Sequence, residues 1–271
     1  SGTTEITLSK ERLGIAEMTA KFVQAAGIIK DGFSFQAGVG GISLAFSKYV
    51  KEMMKDTDVK ARFIRGGSTK QLVEMLEEGL TDYILDGQTF DLEGVRSMRE
   101  NSRHVSTSPF TSYNWHGKGN FASQVDMVVL GATEVDVNFN ANVVTHSDGL
   151  MLHGIGGWQN CLFSKCTILA IPSIRKNNPI IVDDVTTLVG PGELIDVIVT
   201  ERGIAINPLR DDLIKATKYS GLPIRGINII KSEIDELIET PVLKPHLSDK
   251  VISAVKWVDG TLIDSIYKIA R

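Results

Sequence analysis

Apolar and polar positions alternate along the chain in two rhythms, and the rhythms themselves alternate. Ser9 stands as an N-cap before a helical pattern through Leu13, Ala16, Phe22, Val23 and Ala26, which Gly27 stops. Phe33-Ser34-Phe35-Gln36 reads as a short strand, followed by glycines at 38, 40 and 41 and an amphipathic helix from about Ile42 to Met54. Lys60-Ala61-Arg62-Phe63-Ile64 predicts a second strand, ended by Gly66-Gly67. Ser68 is then expected to cap a helix carrying Leu72, Val73, Met75 and Leu76, with Gly79 at its end. Tyr83-Ile84-Leu85, Val125 to Leu130, Thr167 to Ile171, Ile180 to Val182 and Ile195 to Val199 are apolar runs of buried-strand length. Two alternating strands flank Asp259-Gly260, a hairpin signal. Strands interleaved with helical patterns predict an α/β fold, an open and mostly parallel sheet with flanking helices and a C-terminal β-hairpin. No linker or repeat divides the pattern, so residues 1–271 are expected to form one domain.

Composition removes some functions and leaves others. The chain has 271 residues with a net charge of −4, and no segment concentrates Lys and Arg, which speaks against a nucleic-acid partner. No apolar run reaches the roughly 20 residues of a membrane span, and Ser1-Gly2-Thr3-Thr4 lacks the basic and apolar regions of a signal peptide. Without an initiator Met, the chain reads as a piece of a longer protein. Cys161 and Cys166 have no further Cys to complete a zinc set and are expected to be reduced thiols of a cytoplasmic protein, with no metal.

Three segments carry candidate chemistry. Gln36-Ala37-Gly38-Val39-Gly40-Gly41 joins a strand to a helix, where glycines let the backbone approach a ligand and the helix N-terminus offers free N–H groups to an anion or oxyanion. It lacks Gly-Lys-Ser/Thr, so it is not a nucleotide-binding P-loop. Ser43 stands where a dinucleotide fingerprint has its third glycine, and Arg65 where it has an acid, leaving an NADP enzyme as a weak rival. Glu134 to Asn142 alternates throughout, with Glu134, Asp136, Asn138, Asn140 and Asn142 on one side of a predicted strand. Asn and Asp are poor strand residues, so this face is expected to line a polar ligand. Gly154-Ile155-Gly156-Gly157, after His153, is a second possible nest of backbone donors. Asn114-Trp115-His116-Gly117 is a further polar-aromatic loop.

Together these segments resemble the citrate lyase alpha subunit family. The likeness rests on Phe35-Gln-Ala-Gly-Val-Gly-Gly-Ile-Ser-Leu-Ala45, Gly66-Gly67, Leu85-Asp-Gly-Gln-Thr-Phe-Asp91, Glu134 to Val143, Ser147-Asp-Gly149, Gly154 to Gly157 and Val199 to Pro208. That family has a longer chain, and this sequence resembles its second half. The resemblance implies a CoA-transferase (NagB/RpiA-like) fold and an exchange of acetyl for citryl on a CoA-type thiol: acetyl-S-ACP and citrate give citryl-S-ACP and acetate. It implies citrate, acetate and acyl-CoA, or the CoA-like prosthetic group of a carrier protein, as substrates, with no covalently bound cofactor. The lyase (beta) and carrier (gamma) subunits are the implied partners in a homo- or hetero-oligomer. Related CoA-transferases place a catalytic Glu after the glycine loop, whereas Phe63 to Lys70 here contains no acid. Direct attack by the substrate carboxylate, through a mixed anhydride, is therefore expected.

Backbone N–H groups of Gly40, Gly41 and Gly67 are the oxyanion candidates, and Glu134 is the candidate catalytic acid. Gln36, Gly38, Arg65, Gly66, Gly67, Ser68, Thr69, Gly156 and Gly157, with Asp136, Asn138, Asn140 and Asn142 of the polar stripe, are the candidate substrate- and CoA-binding residues, and Arg65 and Lys70 are the cations nearest the loops. A hydrolase or another acyl-CoA transferase of the same fold, or a non-catalytic half needing its partner domain, are the alternatives.

Overall fold

The computed structural model describes residues 5–113, 121–238 and 245–270. The first part winds as α1 (Lys10–Ala25), β1 (Phe33–Ala37), α2 (Gly41–Thr57), β2 (Ala61–Ser68), α3 (Lys70–Glu77), β3 (Thr81–Thr89), α4 (Leu92–Glu100) and β4 (His104–Ser106). After the short α5 (Pro109–Tyr113) come β5 (Met127–Leu130), β6 (Glu134–Asp136), β7 (Ala141–Asn142), α6 (Trp158–Cys161) and β8 (Thr167–Ala170). The remainder contains β9 (Ile174–Arg175), β10 (Asn178–Pro179), β11 (Ile181–Val182), β12 (Val197–Thr200), β13 (Gly203–Ile206), α7 (Asp211–Thr217), α8 (Ile227–Leu237), β14 (Leu247–Lys256) and β15 (Leu262–Ile269). The loop Asn114 to Gly117 lies outside the described residues.

Eight strands form the main sheet in the order β13-β12-β8-β5-β1-β2-β3-β4, parallel except for the β12–β13 pair. The central strands bury both faces, so their residues feed two apolar layers. Phe35, Met127, Val129, Ile168 and Val199 pack with α1, α2 and α3 on one side; Val128, Leu130, Leu169 and Ile198 pack with β6, β7, β11 and α8 on the other. Phe35 sits edge-on to Phe46 of α2, ring centroids 6.3 Å apart, and both rings are wholly buried. Losing such a ring costs roughly 3–5 kcal/mol, so this contact fixes α2, and with it the loop Gly38–Gly40, against β1.

The predicted strands and helices fall at their expected places with three differences. Ser68 does not cap α3: β2 runs on through Gly66 and Gly67 to end at Ser68, and Thr69 holds the N-cap position. The amide of Lys70 is met by Asp91 Oδ2 at 2.7 Å instead. Ile181-Val182 leaves the main sheet and pairs with β6 in a separate three-stranded layer. Most consequentially, Glu134 to Asn142 is not one strand. Phe139 takes a φ of +67° and folds it into a tight hairpin, β6 against β7, with Glu134 opposite Asn142. An alternating polar stripe has the same period in a hairpin as in a straight strand, and the sequence carries no Gly at the turn to separate them.

Candidate functional site

β1 has β2 on one side and β5 on the other. From β1 the chain winds outward through β2, β3 and β4, then returns to build β5, β8 and β12 on the opposite flank. The carboxyl ends of β1 and β5 therefore diverge into a crevice, the place where open α/β sheets take their ligands. Gly38–Gly40 follows β1 at this point, and Gly131 follows β5.

A cavity of about 380 Å³ opens there. Gly38, Val39, Gly40, Gly41, Ile42 and Ser43 form one wall; Leu130, Gly131, Ala170, Ile171 and Pro172, at the ends of β5 and β8, form the other. Trp158 closes a side, its Nε1–H donating to Gly131 O at 3.0 Å. Arg12 of α1 and Arg175 of β9 complete the lining, and no Asp or Glu lines it among the described residues. The first helical bond of α2 runs from Leu44 N to Gly40 O at 3.0 Å, so the N–H groups of Gly41, Ile42 and Ser43 have no acceptor within the helix. They carry the positive end of a 17-residue helix dipole. Nothing lies within 4 Å of where a Cβ on Gly40 would stand, and its backbone angles are ordinary, φ −71° and ψ 155°. That glycine leaves room beside the loop; it does not relieve strain. At Gly41 the segment before α1 crosses the loop, with Thr7 about 3.0 Å from a would-be Cβ.

The other residues singled out from the sequence divide sharply. Gln36, Arg65 and Gly66 lie one layer beneath the crevice. Arg65 is fully buried; its Nη1 donates to Gln36 Oε1 at 3.1 Å, while Gln36 Nε2 donates to Cys161 Sγ at 3.0 Å. The Cys161 thiol donates in turn to Gly157 O, and burial pushes its pKa up to about 11 despite the neighbouring Arg65 charge. This chain ties β1, β2 and α6 together, and Gly66, at φ +109°, lets the backbone pass the Gln36 side chain. At Gly67 a Cβ would strike the Phe90 ring at 1.8 Å, so that glycine serves packing. Gly157 is the N-cap of α6, and Gly156 precedes it at φ +61°. Ser68 gives its hydroxyl to Asp86 at 2.6 Å, whereas the buried Thr69 hydroxyl has no partner. Lys70 opens α3 and lines a different cavity with Lys48, Lys51 and Lys55.

The hairpin stands apart from the crevice. Asp136 accepts from Asn138 N at 2.9 Å and from Asn140 N and Nδ2, both at 3.0 Å; Asn140 Oδ1 accepts from Gly192 N at 2.9 Å. Asn142 donates to Glu134, whose carboxylate also takes Thr186 N at 2.8 Å and Thr186 Oγ1 at 3.0 Å. Glu134 is buried and borders a different cavity, of about 340 Å³, with Thr186, Asp183, Lys231 and Asp235. Gly40 and Glu134 thus line separate spaces in this chain.

The citrate lyase alpha subunit family model matches residues 1–269. The chain belongs to the citrate lyase alpha subunit family. It is 34% identical to the citrate lyase alpha chain of Escherichia coli (strain K12) over 99% of its length, and 35% identical to that of Haemophilus influenzae over 99%. These matches take in 53% and 54% of the relatives, so the chain spans about half their length. The solved alpha subunit of citrate lyase from Streptococcus mutans, in complex with citrate, superposes on the whole chain with a TM-score of 0.97 at 38% identity, over 53% of its own length. A malonate decarboxylase alpha subunit from Acinetobacter baumannii shares the fold at 15% identity, TM-score 0.55, over 86% of this chain and 58% of its own.

Arg12, Arg175, Gly131 and Trp158 are the site residues that sequence reasoning missed. Arg12 reads as an ordinary charge in a first helical turn and Arg175 as part of the turn Arg175-Lys176-Asn177. Only the fold brings positions 163 residues apart to one cavity.

Proposed function

We propose that residues 1–271 form a single domain of the CoA-transferase (NagB/RpiA-like) type, working as a citrate CoA/ACP transferase. It exchanges acetyl for citryl on the CoA-type thiol of a carrier protein, alongside lyase and carrier subunits in a cytoplasmic complex. The observation that carries this reading is the crevice cavity, lined by helix-terminal N–H groups without helical acceptors and, among the described residues, by no carboxylate. Family membership and the citrate-bound Streptococcus mutans relative support the choice of substrate.

A citrate carboxylate is ionised at neutral pH and needs no enzymic base. Its oxygen attacks the carbonyl carbon of the acetyl thioester, and the negative charge that develops on the carbonyl oxygen is held by N–H groups of Gly40 and Gly41 at the α2 terminus. The C–S bond breaks, leaving a thiolate and an acetyl–citryl mixed anhydride. The thiolate then attacks the citryl carbonyl, and acetate leaves with one oxygen that came from citrate. With no Asp or Glu among the described residues that line the cavity, an enzyme-bound thioester finds no carboxylate among them on which to form. In this reading Glu134, Gln36 and Arg65 position the walls and do not meet the reacting atoms.

The test incubates the protein with acetyl-CoA and citrate labelled with ¹⁸O in its carboxylates. Citryl-CoA together with ¹⁸O in the released acetate is the expected result. Free CoA without citryl-CoA identifies a hydrolase and overturns the proposal.

A further inference from the structure

Two arginines face the same cavity with no carboxylate to balance them among the described residues. Arg12 comes from the first turn of α1 and Arg175 from β9, the short strand that follows β8; both line the crevice beside Gly38–Ser43. Among the described residues, neither guanidinium has a carboxylate within ion-pair distance, although the chain pairs many of its other arginines. Arg175 donates from Nη2 to Ala132 O at 3.4 Å. It is half-buried; burial first, and then the like charge of Arg12, hold its pKa below the usual arginine value. Like charges sharing one cavity repel, and an anion between them relieves both the repulsion and the desolvation. The third positive element, the α2 N-terminus, lies on the same wall.

We infer that Arg12 and Arg175 grip the carboxylates of the acceptor that do not react, making this cavity selective for a polycarboxylate over a monocarboxylate. The inference rests on the transferase reading and assigns the acceptor's place within it. Citrate keeps two carboxylates when its third attacks, one for each guanidinium, which matches the planar donor fork of arginine. Acetate has none to spare. With its reactive carboxylate at the glycine loop, acetate draws nothing from the arginine pair. The phosphates of the thioester carrier are the other anions a guanidinium pair holds well, and the experiment separates them.

Calorimetry would measure citrate and acetyl-CoA binding to the protein and to its Arg12→Gln, Arg175→Gln and Arg175→Lys variants. Each Gln variant is expected to weaken citrate about tenfold to a hundredfold, as loss of a charged hydrogen bond does. Affinity for acetyl-CoA should stay within about twofold, a margin well inside one hydrogen bond. Arg175→Lys should recover part of the loss. Arg12 is exposed, so its variant tests the inference even if substitution at Arg175 disturbs folding. Unchanged citrate affinity in Arg12→Gln, no citrate binding by the parent protein, or an equal loss of acetyl-CoA affinity overturns it. Citrate binding that falls as expected, in a protein that transfers nothing to citrate, upholds the arginine assignment and sinks the transferase reading instead.

Discussion

The glycine loop at the end of β1 and the polar hairpin β6–β7 both look, in sequence, like walls of a ligand site. They differ in what they have left to offer. The hairpin's acceptors are taken by the protein itself: Asp136 holds its own turn, Glu134 holds Asn142 and Thr186, and Asn140 holds Gly192. The loop offers N–H groups with no helical acceptor and open space beside Gly40, and the cavity it borders holds two arginines without a carboxylate counterion among the described residues. A polar residue marks a binding site when its hydrogen-bonding capacity exceeds what its neighbours use, and count alone does not measure that excess.

The largest effect should come from the loop. Gly40→Val places a branched side chain in the open space beside it, at backbone angles a valine accepts. Transfer should fall by at least 10²–10³-fold, the usual loss for one oxyanion donor, while the melting temperature stays close to that of the parent. Transfer within about tenfold of the parent, well short of that loss, would remove the loop from the reaction. Asp136→Ala should show the opposite pattern. It strips acceptors from three donors, with a stability loss of about 2–3 kcal/mol by denaturant unfolding and little change in kcat for the folded fraction. Glu134→Gln is the sharper probe of the hairpin, because an amide presents a donor where Thr186 N, Thr186 Oγ1 and Asn142 Nδ2 already donate. A loss of about 1–2 kcal/mol in stability is expected. A drop of several orders of magnitude in kcat with normal stability would make Glu134 catalytic and erase the contrast.

How far the sequence foretold this depends on whether the information is local. Period and glycine placement located β1, α2, β2 and β3 because each element is encoded within its own span: Phe33 and Phe35 are apolar on a short strand, and Gly27 and Gly79 end their helices at positive φ. The loop Gly38–Gly41 was legible for the same reason. The hairpin misled because alternation survives a turn, and the turn residue is Phe139, which advertises nothing. Arg65 looked available at the end of a strand, yet its side chain is buried, held by Gln36, which in turn donates to Cys161, 96 residues from Arg65. Arg12 and Arg175 were invisible because their meeting depends on the return of the chain to β8.

A pH titration sharpens the comparison at Ser68, whose hydroxyl belongs to the committed class. Burial alone would raise the Asp86 pKa. Hydrogen bonds from His104, the Ser68 and Thr89 hydroxyls and Gln88 N–H outweigh it and hold the carboxyl below its ordinary value. A carboxyl depressed in the folded state adds stability at pH above its unfolded pKa of roughly 4, and that contribution is lost as pH falls through the folded value. Urea midpoints should therefore drop more steeply below about pH 4 in the parent than in Asp86→Asn. Parallel curves would show that Asp86 is not held in this way.

The smallest effect should come from the residue next door. Thr69 is 3% exposed, its hydroxyl has no hydrogen-bond partner, and as N-cap of α3 it makes no side-chain cap bond. Its backbone is extended, φ −133° and ψ 164°, which suits a β-branched residue. The amides that a Thr69 cap would serve are those of Gln71 and Leu72, and the Thr69 hydroxyl accepts from neither. Thr69→Val keeps the shape and removes a polar group that burial has desolvated without return. Stability should hold or rise by up to about 1 kcal/mol, or roughly 2–4 °C in melting temperature for a domain of this size. Transfer separates the two classes: unchanged activity places Thr69 with the packing residues under the crevice. A loss of activity at undiminished stability shows that the hydroxyl was kept for a ligand, and moves Thr69 to the same side of the comparison as Gly40.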